Sequence, residues 1–253
     1  RAPRPLAMSL YRHLITDQAW RVARAQMGYA HPHGQPLMVS LGGQPFIDVR
    51  LSFHSYLPAD LSDQIGGTLV DAWLDRLVAH PHLHDKVEFQ VATTALAFDF
   101  DDRIAAEIPG ALTADALGNY RQALGALTAD LVTGASAPIE AELRKIADLA
   151  ANRTAVMAGR GPRGLGVVAS LLEDCIQNGT TPFSVLARHA FIAQNLLLSL
   201  IARGVLTSAD VQGFLRSIKT VAGEFAEESQ GLGDGSISTA QFMEKYGHLR
   251  PGT

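Results

Sequence analysis

The sequence predicts a mainly α-helical, multi-helix fold with a small antiparallel β element in the N-terminal third. From residue 113 onward, apolar residues recur at spacings of three and four, as they do on one face of an α-helix. Over 46–53, apolar and polar residues alternate instead, which is typical of a half-buried strand. With 253 residues and a 47% hydrophobic content, the chain has enough apolar material for a sizeable core.

The N-terminal region is predicted to contain one long helix followed by a hairpin. Apolar residues recur at helical spacing over 6–27, and Gly28 ends this pattern. Two strands are predicted at 37–41 and 46–53, joined by the turn Gly42-Gly43-Gln44-Pro45. The turn residues favour a tight connection, so the two strands should pair antiparallel.

A second helix and a further strand are predicted before residue 110. Asp60 or Ser62 can cap a helix that carries Trp73 on its apolar side. Over 86–100 the apolar residues alternate in one phase and then in the other. A strand with a β-bulge accounts for this change of phase, and we therefore predict β structure there.

The remaining residues are predicted to form helices. One helix carries an apolar seam that should pack against the helix beginning near Pro138, as an antiparallel hairpin. The residues of this apolar seam are Leu117, Tyr120, Leu124, Leu127 and Leu131. A capping-box-like start at Thr207 to Asp210 predicts another amphipathic helix.

The helix that begins at Thr181 is predicted to be the most deeply buried one. Thr181 as N-cap and Pro182 at the first position are typical of a helix start, and Gly204 ends the pattern. Apolar residues cover most of its circumference, which is typical of a helix in a core. They leave a thin polar line of Arg188, Asn195, Ser199 and Arg203.

Composition narrows the functional classes. The net charge of −4 and the scattered cations argue against nucleic-acid binding, which needs a clustered basic face. The longest apolar run, 191–205, is interrupted by polar residues, so no membrane span is predicted. A single cysteine, Cys175, excludes an intramolecular disulfide, and no signal peptide is visible, so we predict a cytoplasmic location.

The termini indicate a piece of a longer polypeptide. The chain begins with Arg rather than Met and stops directly after Pro251-Gly252-Thr253. Within it we distinguish residues 1–110, with the first helix, the hairpin and a mixed region, from a helical subdomain at 111–253. Both are expected to belong to one continuous domain.

Three stretches resemble a known family of enzymes. They are RPLAMSLYRHLITD at the start, RHAFIAQNLLLSLIARGVL after residue 187, and KYGHLRPGT at the end. Together they are similar to dikinase-like phosphotransferases, which include phosphoenolpyruvate synthase, rifampin phosphotransferase and uncharacterised phosphoenolpyruvate-utilising proteins. The matching stretches cover less than a third of the chain, but they occur in the same order.

The resemblance implies the central, acceptor-binding domain of a three-domain enzyme. In such enzymes an ATP-grasp domain uses ATP and Mg²⁺, a swivelling domain carries a phosphohistidine, and a third domain holds the small-molecule phosphate acceptor. This chain contains neither the Ser-His-Ala phosphohistidine motif nor a Gly-rich ATP-grasp pattern. We therefore expect no catalytic residue, no cofactor and no phosphotransfer by this chain alone.

Two other functions fit the same features. The chain could be a non-catalytic helical scaffold that links and orients the ATP-grasp and phosphohistidine domains. It could also be a stand-alone helical domain that binds a small molecule.

Candidate binding residues lie in the buried helix and in the second predicted strand. Arg188 can bind a carboxylate or phosphate as a bidentate fork, and His189 can relay a proton or serve only as a core histidine. Arg50, Ser52 and His54 share one face of the strand, which is either a pocket wall or a solvated sheet face.

Two further candidate groups lie in loops. The resemblance places His248 and Arg250 near the acceptor or at a domain-docking surface, whereas a plain linker is the alternative. Arg160 and Arg163 precede a helix whose N-terminus can bind phosphate, but the loop equally suits a basic connector.

The histidine pairs and triplets do not predict a metal site. They are His31 and His33, and His80, His82 and His84. Pro32 and Pro81 place both runs in turns, and no Asp, Glu or Cys partner has an evident ligand spacing.

Overall fold

The computed structural model describes residues 3–32, 35–247 and 249, and it confirms a mainly α-helical fold with a two-stranded antiparallel sheet. The elements up to residue 107 are α1 (Pro5–Tyr11), α2 (Ala19–Gln26), β1 (Met38–Leu41), β2 (Gln44–Ile47), α3 (Val49–His54), α4 (Asp63–Ala79), α5 (Val87–Gln90) and α6 (Phe100–Glu107). The later helices are α7 (Ala114–Thr133), α8 (Ile139–Met157), α9 (Leu165–Cys175), α10 (Thr181–Ala202), α11 (Ser208–Ser217), α12 (Val221–Asp234) and α13 (Thr239–Tyr246).

The chain divides into two compact units, Arg1–Arg203 and Gly204–Thr253. The subregion boundary predicted at residue 110 lies inside the first unit. Residues from both sides of it share one core, in which Phe53 and Trp73 belong to the same cluster as Tyr120 and Leu124. Each of these four side chains is fully buried.

The second unit is built from α11, α12 and α13. Thr207 and Asp210 form the predicted capping box at the start of α11, and their side chains and backbone N–H groups satisfy each other. Three aromatic rings join α12 to α13, because Phe225 packs on Phe242 and Tyr246 with ring centroids 5.5 and 4.9 Å away.

The N-terminal helix predicted over 6–27 exists but is not continuous. It consists of α1, a π-helical turn at Arg12–Thr16, and α2. Gly28 follows with φ of +89°, a left-handed conformation that costs glycine little, and it ends the helix as predicted.

The hairpin is confirmed, but its second strand is shorter than predicted. Met38 pairs with Ile47 and Leu41 with Gln44. The strand stops at Ile47 because Asp48 caps a new helix, its carboxylate accepting a hydrogen bond from the N–H of Leu51 at 3.1 Å. The predicted strand at 48–53 is therefore wrong.

The predicted strand at 86–100 is also wrong. One helical turn, α5, leads into an irregular segment over 91–98, which is mostly buried up to residue 97 and exposes the Phe98 side chain. Its backbone groups are satisfied by side chains instead of by a neighbouring strand. These bonds run from Tyr29 Oη to Thr94 O, Tyr120 Oη to Thr93 O, Leu96 N to Thr128 Oγ1 and Phe98 N to Ser199 Oγ, at 2.7, 2.6, 2.8 and 3.2 Å.

The face of α10 that is buried differs from the predicted one. Three of the four residues of the predicted polar line, Arg188, Asn195 and Ser199, are buried, whereas the fourth, Arg203, is exposed. Phe183 and Leu198, expected in the core, are 67% and 47% exposed. The polar side chains are buried because they have partners, such as the backbone N–H of Phe98 for Ser199.

The start of α10 also differs from the prediction. A π-helical turn at Ile176–Thr180 joins α9 directly to α10, so Thr181 lies within a continuous helix and does not cap it. Upstream, the α7 seam is buried at Tyr120, Leu124, Leu127 and Leu131 as predicted. The α7–α8 hairpin is wrong, however, because α8 packs against α9 and α10.

The continuous helix Leu165–Ala202 is long and apolar enough, by length and composition alone, to cross a membrane. Its most apolar 18-residue window has a mean hydropathy of 1.5, and 28% of that window is buried in the protein. Core helices of other proteins pass the same test, so the absence of a membrane span stays a prediction from the interrupted apolar run.

Candidate functional site

A cavity of about 400 Å³ opens between α2, β2, α3, α4, α5 and α10 in the first unit. This volume lies in the range of small-molecule sites. Its walls are mostly apolar, with aromatic rings contributed by three helices. They include Trp20 from α2, Phe53 from α3, and Phe183 and Phe191 from α10.

Helical periodicity explains how α10 forms one wall. Phe183, Ser184, Ala187, Arg188 and Phe191 all line the cavity. These positions recur at three and four residues, so they lie on one face of the helix. The aromatic side chains that the sequence suggested for the core therefore line a cavity instead.

A buried charged cluster lies in the same wall. Arg188 Nη1 is 2.9 Å from Glu88 Oε2, and Arg24 Nη2 is 3.7 Å from Glu88 Oε1. Tyr56 Oη donates a hydrogen bond to Glu88 Oε1 at 2.6 Å and accepts one from Arg24 Nη2 at 3.2 Å. Arg24 Nη1 also donates to Ser55 Oγ. Glu88 thus serves as the shared counterion of two arginines.

Aromatic rings complete the surroundings of the two guanidinium groups. The ring centroid of Tyr56 lies 4.3 Å from Cζ of Arg24 and 4.9 Å from Cζ of Arg188. Tyr29 lies 5.6 Å from Cζ of Arg188. Cation–π attraction at these distances partly offsets the cost of removing the charges from water.

Burial perturbs the ionisation of this cluster. Burial lowers the pKa of Arg24, and the nearby charge of Arg188 acts in the same direction. Burial also acts to lower the pKa of Arg188, but Glu88, Tyr29 and Tyr56 act in the opposite direction and outweigh it. The pKa of Arg188 is therefore raised. Burial raises the pKa of Tyr29 to about 12 and raises that of Tyr56, so both phenols are neutral at physiological pH.

Two atoms of the cluster are incompletely satisfied. Although Arg188 Nη1 and Glu88 Oε2 are 2.9 Å apart, neither atom has a partner at hydrogen-bonding angles. The Arg188 side chain is only 4% exposed and lines the cavity. Both atoms are enclosed by the protein, and at this distance their opposite charges attract each other strongly.

The predicted site residues are only partly brought together. Arg188 lines the cavity, and so does Ser52 on α3. Arg50 does not line it and instead forms an exposed ion pair with Asp71, at 2.7 Å. His54 is exposed at the end of α3 and is also absent from the cavity wall. In a helix Arg50 and His54, four residues apart, share one face, so the conversion of the predicted strand into a helix separates Ser52 from the other two.

The other candidates lie elsewhere or are not described. His189 Nε2 is 3.0 Å from the carbonyl oxygen of Ala137, between α7 and α8, and does not line the cavity. This contact matches the alternative of a satisfied histidine. His248 and Arg250 lie outside the described residues.

The basic loop does not form part of the main cavity. Arg160 lines a second cavity of about 220 Å³ between α8 and α9, and Arg163 is exposed. Asp174 shares the second cavity, and its carboxylate accepts hydrogen bonds from Asn152 and Asn178. This negative charge opposes the binding of phosphate beside Arg160.

Sequence reasoning missed Arg24, Glu88 and Tyr56. Glu88 lies in the strand predicted over 86–100 and Arg24 in the first predicted helix, and no role was predicted for either residue. Their partners are distant in sequence, so no local pattern identifies the cluster.

The described residues contain no group of three or more His, Cys, Asp or Glu side chains that could hold a metal ion. His84 also lines the cavity. It lies in the turn before α5, and its ring nitrogen Nδ1 is 3.2 Å from the carbonyl oxygen of Pro81.

Comparison with protein-family models, curated proteins and solved structures finds no match to this chain.

Proposed function

We propose that this chain binds a small apolar molecule with an anionic group in the main cavity, and that this molecule is the acceptor of a dikinase-like phosphotransferase. The observation that carries the binding proposal is the cavity of about 400 Å³, whose wall is mostly apolar and aromatic and contains the charged side chain of Arg188. The apolar walls would hold the body of the ligand, and Arg188 would hold its anionic group.

The cost of the charged cluster supports binding over a purely structural role. Burying ion pairs is seldom favourable for stability, and well-packed apolar residues serve a scaffold at least as well. Here two arginines and their glutamate border an open cavity of about 400 Å³. A scaffold that only links domains needs neither the cavity nor the charges.

The phosphotransfer part rests on the three stretches that resemble dikinase-like enzymes. In this proposal ATP and Mg²⁺ act in an ATP-grasp domain, and a phosphohistidine domain visits the acceptor. Both domains lie outside this chain, and the chain contributes the cavity. Two experiments distinguish this proposal from the alternatives, which are a non-catalytic scaffold and a stand-alone binding domain.

The first experiment tests binding in the cavity. The probe is 8-anilino-1-naphthalenesulfonate, an apolar monoanion, and its binding is followed by calorimetry and by the fluorescence of Trp20 in the cavity wall. We expect saturable binding at one site that Arg188→Met weakens at least tenfold. Ala187→Phe, which fills the cavity, should abolish binding. Ala190→Phe is the matched control, because Ala190 is exposed on α10 and does not line the cavity.

If Ala187→Phe and Ala190→Phe bind the probe equally well, the cavity is not the binding site, and the scaffold function gains support.

The second experiment tests phosphotransfer in the full-length protein encoded by the gene. Labelled ATP should pass its phosphate to a hydroxyl-bearing cavity ligand, and Arg188→Met should reduce this transfer. If the gene encodes no ATP-grasp or phosphohistidine domain, the phosphotransfer part is refuted and the binding part is unaffected.

A further inference from the structure

The charge of the cavity wall carries a further inference, which rests on the ligand binding proposed above. Arg24 and Arg188 contribute two positive charges, and Glu88 contributes one negative charge. Apart from His84, no other acidic or basic side chain among the described residues lines the cavity. Leaving His84 aside, the wall therefore carries one uncompensated positive charge.

The uncompensated positive charge of the wall is poorly hydrated. The side chains of Arg24 and Arg188 are 10% and 4% exposed, and the rest of the wall is mainly apolar. Electrostatic interactions are stronger in such surroundings than in water. A ligand that brings one negative charge neutralises the cluster, whereas a ligand that brings two leaves it with an excess negative charge.

Glu88 also shows which anionic group fits between the arginines. One carboxylate oxygen lies 2.9 Å from Arg188 Nη1 and the other lies 3.7 Å from Arg24 Nη2. A planar carboxylate matches the planar guanidinium groups, and each guanidinium can donate to two oxygens. Arg188 lines the cavity beside Glu88, so a second carboxylate that enters the cavity can pair with the same guanidinium group.

We propose that Glu88 is a specificity-determining residue that restricts the cavity to ligands with a single negative charge, and that the ligands are apolar monocarboxylic acids. The aromatic walls from Trp20, Phe53, Phe183 and Phe191 select the apolar body. The charge left after Glu88 has neutralised one arginine selects the carboxylate. A phosphate monoester brings two negative charges, which exceed the one uncompensated positive charge of the wall, so it should bind more weakly.

The test uses three ligands with the same phenyl body at pH 8. They are 3-phenylpropanoate with one negative charge, 3-phenylpropanamide with none, and 2-phenylethyl phosphate, whose second ionisation is complete at this pH. Dissociation constants are measured by calorimetry. The unaltered protein should bind the acid at least about tenfold more tightly than either of the other two, a difference of about 1.4 kcal/mol.

Substitutions then change the charge of the wall in steps. Glu88→Gln raises it by one, and the preference should reverse so that the phosphate binds more tightly than the acid. Glu88→Asp is the control that keeps the charge and the order of affinities. The double variant Arg24→Met with Glu88→Gln restores a single positive charge and should restore the preference for the acid. Arg24→Met alone lowers the charge to zero, so the acid should lose its preference over the amide, and this variant keeps the test decisive if Glu88→Gln does not fold.

The outcomes separate this inference from the proposed function. If the ligands bind but the amide equals the acid, or the order of affinities is the same in every variant, the charge rule is overturned and cavity binding stands. If none of the three ligands binds, and the naphthalenesulfonate probe does not bind either, the proposed function fails and the charge rule fails with it.

Discussion

Removing the charges of the buried cluster one at a time should destabilise the first unit unequally. Arg188→Met leaves Glu88 with Arg24 at 3.7 Å and with the Tyr56 hydroxyl at 2.6 Å. Glu88→Gln removes the one carboxylate that both guanidinium groups share. The first variant leaves a balanced pair, whereas the second leaves two buried positive charges without a counterion.

The size of the effect follows from what remains buried. Removing one partner of a buried ion pair costs about 3–5 kcal/mol when the other charge is left uncompensated, and we expect this range for Glu88→Gln. Arg188→Met loses a charged contact but leaves no unpaired charge, so about 1–2 kcal/mol is expected. The difference of about 2 kcal/mol corresponds to a factor of about 30 in the unfolding equilibrium.

Urea unfolding followed by tryptophan fluorescence measures these free energies. Both tryptophans of the chain, Trp20 and Trp73, lie in the first unit, so the signal reports that unit. Arg50→Met is the matched control, because Arg50 forms a 2.7 Å ion pair with Asp71 but both side chains are 63% exposed. Surface pairs contribute little, so this variant should stay within about 0.5 kcal/mol of the unaltered protein.

The reasoning is refuted if Glu88→Gln and Arg188→Met cost the same free energy. It is also refuted if Arg50→Met costs as much as Arg188→Met. The first result would mean that Glu88 is not the shared counterion, and the second that burial does not govern the cost.

Three further predictions concern the core. Leu124→Ala should cost about 2–5 kcal/mol because Leu124 is fully buried, whereas Leu165→Ala, at an 88% exposed position, should cost less than about 0.5 kcal/mol in the same assay. Ser199→Ala removes the acceptor of the Phe98 N–H and should cost about 1–3 kcal/mol, with faster hydrogen exchange at that amide; an unchanged exchange rate would contradict the contact. The raised pKa of Tyr29, about 12 against 10 when unfolded, means that its contribution to stability is complete below pH 10 and is lost as the pH rises towards 12, by up to about 1.4 kcal/mol per unit. Tyr29→Phe should remove this part of the slope from the pH dependence of unfolding, and an unchanged slope would refute the assignment.

Local sequence determined most of the long helices and their ends, the start of α10 excepted. The seam of α7 is buried at Tyr120, Leu124 and Leu127 as its spacing predicted, and Gly134 follows with φ of +75°. The capping box at Thr207 likewise forms where the sequence placed it. Such signals are reliable because the residues that satisfy one another lie within one or two helical turns.

Alternation of apolar and polar residues was misleading at two places. After Ile47, a single capping residue, Asp48, starts a helix where the alternating pattern predicted a continued strand. Over 91–98, the backbone is satisfied by Tyr29, Tyr120, Thr128 and Ser199, which come from distant parts of the chain. Alternation of apolar and polar residues indicates which side chains would share one face of a strand. It does not identify the hydrogen-bond partners of the backbone N–H and C=O groups.

Two of the residues that line the candidate site, Arg188 and Ser52, were predicted from the sequence. Arg188 stood out because it is a charge within an otherwise apolar helix, and the structure places it in the wall of the cavity. Glu88 and Arg24, which give Arg188 its charge balance, had no local signal. His189, adjacent to Arg188 in the sequence, lies beside Ala137 instead, since neighbouring residues on a helix point in different directions.

The sequence by itself therefore determined the helical class of this protein, many of its helix ends and the presence of the hairpin, because propensity and capping act over a few residues. Only the tertiary structure decided which face of α10 is buried and which charges meet. The free energy of burying a polar side chain depends on the partner that it finds. For Arg188 that partner is Glu88 on α5, and for Ser199 it is the backbone of Phe98.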